Sequence, residues 1–165
     1  MAAAATPALA ALIAAGVRHE VVKFDSDFRD SRQRSFGVEA VHALTKAGSI
    51  AAEQIYKTLV IAVPDGLAVA VLPALSKLSL KAAAAALGVT KASMAEPAAA
   101  KRATGYVIGA VSPFGQRMLL PTVIDSSALA WDRLYVSAGR RGWDVAVAPG
   151  DLVLLTGAVT AEIQA

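Results

Sequence analysis

The chain has 165 residues, 56% apolar and 18% charged, with no cysteine and a formal net charge of +3. Without cysteine there are no disulfides, no thiolate metal sites and no thiol nucleophile, which fits a reducing compartment. The mean hydropathy of +0.53 comes largely from alanine, a weakly apolar helix former. The one candidate membrane stretch, residues 1–17, is uncharged but broken by Thr6, Pro7 and Gly16, and it lacks the basic start of a signal peptide. The expectation is a cytoplasmic, non-membrane protein in which residues 1–165 form one domain behind a flexible tail at 1–5.

In chain order, Thr6-Pro7, an Ala/Leu run and Gly16 supply an N-cap, a proline at N1 and a C-terminal stop for a first helix. Residues 17–24 read as a strand. Residues 25–36, with Arg29, Arg32 and Arg34 among Asp27, Asp30 and Ser31, read as a surface loop. Val38, Val41, His42 and Thr45 share a helical face that Gly48 ends. Residues 55–63 and 67–72 flank Pro64-Asp65-Gly66, a hairpin signal. Ser79 caps a helix closed by Gly88, and Ser93-Met94-Ala95-Glu96 matches a capping box before Pro97. Residues 119–125, 133–137 and 145–148 read as strands, and Pro149-Gly150-Asp151 opens a last helix that ends at Gly157. The pattern predicts an α+β fold with a mixed, curved, barrel-like sheet and several short flanking helices.

Most familiar chemistry is missing. His19 and His42 are the only histidines, and neither has a metal-ligand spacing; packing or surface roles suit both. No nucleophile elbow, P-loop or dinucleotide fingerprint occurs, and no cofactor or metal is implied. What stands out is Thr104-Gly105-Tyr106-Val107-Ile108-Gly109-Ala110-Val111-Ser112-Pro113-Phe114-Gly115, whose glycines alternate with strand-like apolar residues. Glycine is kept where backbone must take φ > 0 or approach something closely, so this segment reads as a wall of amides along a pocket. Tyr135-Val136-Ser137-Ala138-Gly139-Arg140-Arg141-Gly142-Trp143-Asp144 is a second such segment, and Tyr56-Lys57-Thr58-Leu59 puts a lysine at the head of an apolar strand. Lys101-Arg102 and Arg140-Arg141 flank the glycine-rich segments, where a phosphate-bearing partner would meet them first. An enzyme built this way would position and polarise a substrate that brings its own reactive group.

Taken in order, Tyr56-Lys57-Thr58-Leu59, Lys101-Arg102-Ala103-Thr104-Gly105-Tyr106, Ser112-Pro113-Phe114-Gly115 and Tyr135 through Gly142 resemble the YbaK family, freestanding relatives of the editing domain of bacterial prolyl-tRNA synthetase. The resemblance implies a trans-editing deacylase that clears cysteine from mischarged proline tRNA, with the synthetase as a candidate partner. In the cysteine-specific branch the substrate thiol attacks its own ester. The family's lysine falls on Lys57, at the tRNA 3′ end, and its carbonyl-polarising glycine on Gly109. Tyr56, Ser137 and Asp144 fall at substrate-contacting positions.

Each position also has a plainer reading. Lys57 suits a strand edge, Gly109 a turn, Ser137 strand packing, and Asp144 an ion pair with Arg140 or Arg141. Two positions depart from the family pattern: Phe24 replaces a common tyrosine, and Ala110 a common second glycine beside the proposed oxyanion site. Both bear on which amino acid is preferred. Clearance of alanine or serine by activated water, and binding of a tRNA end or nucleotide without cleavage, are the competing expectations.

Overall fold

Local capping decides where most helices begin and end. The computed structural model describes residues 5–25, 36–46 and 48–165; the expectations for residues 1–4 and for residues 26–35, with Arg29, Arg32 and Arg34, lie outside these. Helix α1 (Pro7–Ala14) starts at Thr6, whose hydroxyl accepts from the Leu9 N–H at 3.1 Å, with Pro7 in its first turn. Helix α3 (Leu80–Leu87) starts at Ser79 and ends at Gly88 in the left-handed region. Helices α4 (Pro97–Thr104) and α5 (Pro149–Thr156) begin on their prolines and end at Gly105 and Gly157. These ends match the sequence because a cap needs only neighbours in the chain. Helix α2 (Phe36–Thr45) buries Ala40, Val41 and Leu44, while the predicted face member His42 stays exposed.

The strands form two sheets. Strands β1 (Glu20–Lys23), β7 (Trp143–Val147) and β6 (Leu134–Arg140) make an antiparallel sheet in the order β1-β7-β6. The second sheet, in the order β4-β2-β3-β5-β8, contains β2 (Tyr56–Val63), β3 (Gly66–Pro73), β4 (Ser93–Met94), β5 (Thr122–Asp125) and β8 (Val159–Ala161). Its β2–β3 hairpin turns at the predicted Pro64-Asp65-Gly66, while β3–β5 and β5–β8 are parallel. An isolated parallel bridge, Ile55 to Tyr135, links the sheets, so the α+β class and mixed sheet stand without closure into a barrel.

The core explains the sequence of β3. Val69 and Val71 pack with α1, α4 and β6 residues, whereas Ala68, Ala70 and Leu72 pack with α3, Ile61 and Val123. A strand covered on both faces reads as a continuous apolar run, here Leu67 to Leu72. The expected capping box at Ser93 does not form. Ser93 instead pairs with Ala62 at the sheet edge, and Glu96 is the N-cap without a side-chain hydrogen bond. Among the described residues no helix is long and apolar enough to cross a membrane.

Candidate active site

Phe24, Tyr56, Lys57, Gly109, Ser137 and Asp144, six of the seven predicted site residues, line one cavity of about 410 Å³. Ala110, the seventh, does not line it. Ala110 is only 2% exposed, and its N–H donates to the Val107 carbonyl at 3.0 Å, which closes a turn. Its methyl group therefore lies behind the wall, so its expected contact with substrate is corrected to an indirect one through packing.

Strand alternation separates the neighbours Tyr56 and Lys57. Tyr56 joins the core between the sheets, and its hydroxyl lies 2.8 Å from Ser127 Oγ; burial raises its pKa. Lys57, one residue on, donates from Nζ to the Ser76 carbonyl at 2.6 Å, and burial lowers its pKa. A chain of hydrogen bonds rejoins the two. Ser76 Oγ donates to Gln164 Oε1 at 2.6 Å, Gln164 Nε2 donates to Asp125 at 2.9 Å, and Asp125 also accepts from the Ser127 hydroxyl. The lysine's anchor is thus tied to the C-terminal segment, which local sequence does not reveal.

The β6–β7 hairpin supplies the opposite wall. Leu134 through Ser137 pair in one register with Val147 through Asp144, which sets Ser137 across from Asp144. Arg140 then pairs with Trp143, leaving Ala138 and Gly139 as a bulge. Gly139 takes φ of +93°, and a Cβ there would meet Tyr106 at 2.7 Å, so only glycine fits both the conformation and the space. Asp144 is 6% exposed and has no hydrogen-bond or ion-pair partner among the described residues; the expected alternative of a bridge to Arg140 or Arg141 is not formed. Burial alone pushes its carboxyl up to about 7.

The glycine-rich segment is not a strand. Between α4 and β5 it is irregular, held by Thr104 Oγ1 accepting from the Tyr106 N–H at 3.1 Å and by Tyr106 hydroxyl donating to the Phe114 carbonyl at 2.6 Å. These side chains satisfy backbone groups that a ladder would otherwise pair. Gly109 takes φ of +87°, and among the described residues its N–H has no partner, whereas the Ala110 N–H is used in the turn. Among the described residues the N–H groups of Ile108 and Val111, which also line the cavity, likewise have no partner, so the run of amides the sequence suggested is interrupted at Ala110.

Sequence reasoning missed Glu39, Met94 and Ala95, and it gave Thr58 and Ile108 no role of their own within the segments it assigned to the pocket. Thr58 Oγ1 is buried and has no hydrogen-bond partner among the described residues; its signal was a hydroxyl within an apolar strand. Glu39, 9% exposed, is an acid on the covered side of α2. Among the described residues no three His, Asp or Glu side chains are grouped to hold a metal ion.

Known proteins resemble this chain in sequence or in fold. The model of the aminoacyl-tRNA editing domain family matches residues 37–155. A protein of Enterococcus faecalis, provisionally named a Cys-tRNA(Pro)/Cys-tRNA(Cys) deacylase, EbsC, is 37% identical over 111 residues, covering 67% of this chain and 68% of that protein. A crystal structure described provisionally as a trans-editing enzyme for prolyl-tRNA synthetase superposes with a TM-score of 0.79 at 24% identity, covering 96% of this chain and 95% of the other. A scaffold from computational epitope grafting superposes with a TM-score of 0.81, also at 24% identity and the same coverage. At that identity the two structures speak for the fold alone.

Proposed function

The chain belongs to the aminoacyl-tRNA editing domain family, and on that premise we propose that it is a cytoplasmic trans-acting deacylase for cysteine mischarged onto proline tRNA. The observation that carries this reading is the convergence of Lys57, the left-handed Gly109 and the buried Asp144 on one cavity. The aminoacyl ester and terminal adenosine occupy the cavity, and residues 1–165 act as one editing domain. Lys57 holds the 3′ end and favours the thiolate of a substrate thiol, whose ordinary pKa of about 8.5 leaves it mostly protonated at pH 7. The sulfur forms a bond to the ester carbonyl carbon, and the oxyanion accepts a hydrogen bond from the Gly109 N–H; one such donor typically contributes ~3 kcal/mol to lowering the barrier. The C–O bond to ribose then breaks, the ribose oxygen takes up a proton, and a cyclic thiolactone leaves to hydrolyse in water. Asp144 pairs with the substrate's α-ammonium. Prolyl-tRNA synthetase, which makes the error, is the natural source of the charged tRNA.

Size alone discriminates poorly, since a methylene is worth only about 1–3 kcal/mol. A requirement for the thiol makes the selection chemical. The test is deacylation of proline tRNA carrying cysteine, S-methylcysteine, serine or alanine. The reading expects rapid loss of cysteine and persistence of the other three. One observation favours a second reading: a carboxyl held near pH 7 in a cavity suits a general base for water. Comparable loss of S-methylcysteine, alanine or serine would install that mechanism, and no loss of any would leave a module that binds the tRNA end.

A further inference from the structure

Lys23, Trp143 and Arg140 form a row across the end of the three-stranded sheet. Trp143 lies on the central strand and pairs with Lys23 of β1 on one side and Arg140 of β6 on the other. Directly paired residues project to the same face of a sheet. Lys23 Nζ lies 4.1 Å from the indole centroid and Arg140 Cζ lies 4.9 Å from it. The bulge at Ala138 and Gly139 creates the row: had the register of Leu134 to Ser137 continued, Ala138 would oppose Trp143. Both cations are exposed, the indole is half-buried, and Trp143 and Arg140 border the cavity.

We propose that this row binds the single-stranded 3′ end of tRNA just outside the cavity, an inference that rests on the deacylase reading. A base preceding the terminal adenosine stacks on the Trp143 indole, and Lys23 and Arg140 take the backbone phosphates on either side. An aromatic platform between cations is the arrangement that tracks single-stranded nucleic acid without reading its sequence. The exchange is favourable because an exposed cation–π contact is weaker than a stacked base, so a cation released from the ring gains a phosphate as the ring gains a base. Specificity for the amino acid then stays inside the cavity, and the row adds affinity common to any tRNA end.

The test uses the full chain carrying Trp131→Phe, which leaves Trp143 as the sole tryptophan. A short single-stranded RNA ending in CCA is titrated at several salt concentrations, with binding followed by anisotropy of a 5′ label and Trp143 emission recorded in parallel. The inference expects emission to be quenched in step with binding. It expects Lys23→Gln and Arg140→Gln each to reduce the slope of log K against log salt by about 0.7. Trp143→Leu should weaken binding about tenfold. Because Lys23 and Arg140 are exposed, their substitutions test the row even where Trp143→Leu perturbs folding. Binding without quenching, slopes equal to wild type, or no binding at any salt concentration would each overturn the inference. Failure of the underlying reading looks different, since wild type would then deacylate no charged tRNA at all, whereas failure of the row alone leaves deacylation intact.

Discussion

Each of the two sheets buries one aspartate, and the surroundings treat them in opposite ways. Asp125, at the end of β5, is 2% exposed; its carboxylate accepts from the Ile163 N–H at 2.9 Å, from Gln164 Nε2 at 2.9 Å and from both the N–H and hydroxyl of Ser127. Burial pushes its pKa up, but the hydrogen bonds outweigh burial and leave it below its ordinary value. Asp144, on β7, is almost as buried and has no such donors among the described residues, so burial raises its carboxyl to about 7. A satisfied carboxylate fastens structure, here the C-terminal segment to β5. A carboxyl raised by burial that borders a cavity suits a proton or a cation, which is what a substrate can bring. Lys57 is linked to the Asp125 region through Ser76 and Gln164, yet it borders the same cavity as Asp144.

The contrast can be broken at its centre first. Lys57→Ala should reduce deacylation on the order of 10²–10³-fold while the far-ultraviolet spectrum stays native, because the substitution removes charge from the cavity and not from the core. Full retained turnover would remove Lys57 from the mechanism. Next comes the fastening aspartate. Asp125→Ala leaves four donor groups without their acceptor and should cost about 3 kcal/mol in chemical denaturation at pH 7. Wild type should also lose the Asp125 contribution as pH falls below the ordinary carboxylate value of 3.8, since its folded pKa is depressed.

Asp144 has the opposite sign. Its folded pKa is raised, so its burial costs nothing below 3.8, and the cost grows as pH rises from 3.8 to about 7 and then levels off. Asp144→Asn should therefore gain on the order of 1–3 kcal/mol at pH 8 and almost nothing at pH 4. The same variant should lose ~10–100-fold in activity and flatten the rise of kcat/KM toward pH 7. A variant less stable than wild type at pH 8 would mean that the carboxylate has stabilising partners after all. The smallest effect is expected at Ala110→Gly. Because the methyl group lies behind the wall, relative rates for cysteine and alanine should change no more than about threefold, as measured by competition between the two charged tRNAs.

How legible the molecule was depends on the range of each interaction. Thr6 with Pro7, Ser79 with Gly88, and Pro64-Asp65-Gly66 mark element ends through contacts a few residues long, and the structure matches them. Ser93 failed as a cap because a distant competitor, the β2 edge at Ala62, pairs with it. The short strand β8 has no strong local pattern and exists by pairing with β5. Within the site, it was the resemblance to the YbaK family, not residue types alone, that singled out Lys57, Gly109, Ser137 and Asp144. That the Ala110 N–H is engaged depends on one turn and was not visible in the residue types.

The amino-acid sequence by itself determined the α+β class, most helix ends and the β2–β3 hairpin. Tertiary structure alone decided that the strands divide into two sheets, that a two-residue bulge brings Arg140 opposite Trp143, and that one buried aspartate has its pKa lowered while the other has its pKa raised. The reason is physical. A carboxylate's state depends on which donors and how much water surround it, and those neighbours come from distant parts of the chain.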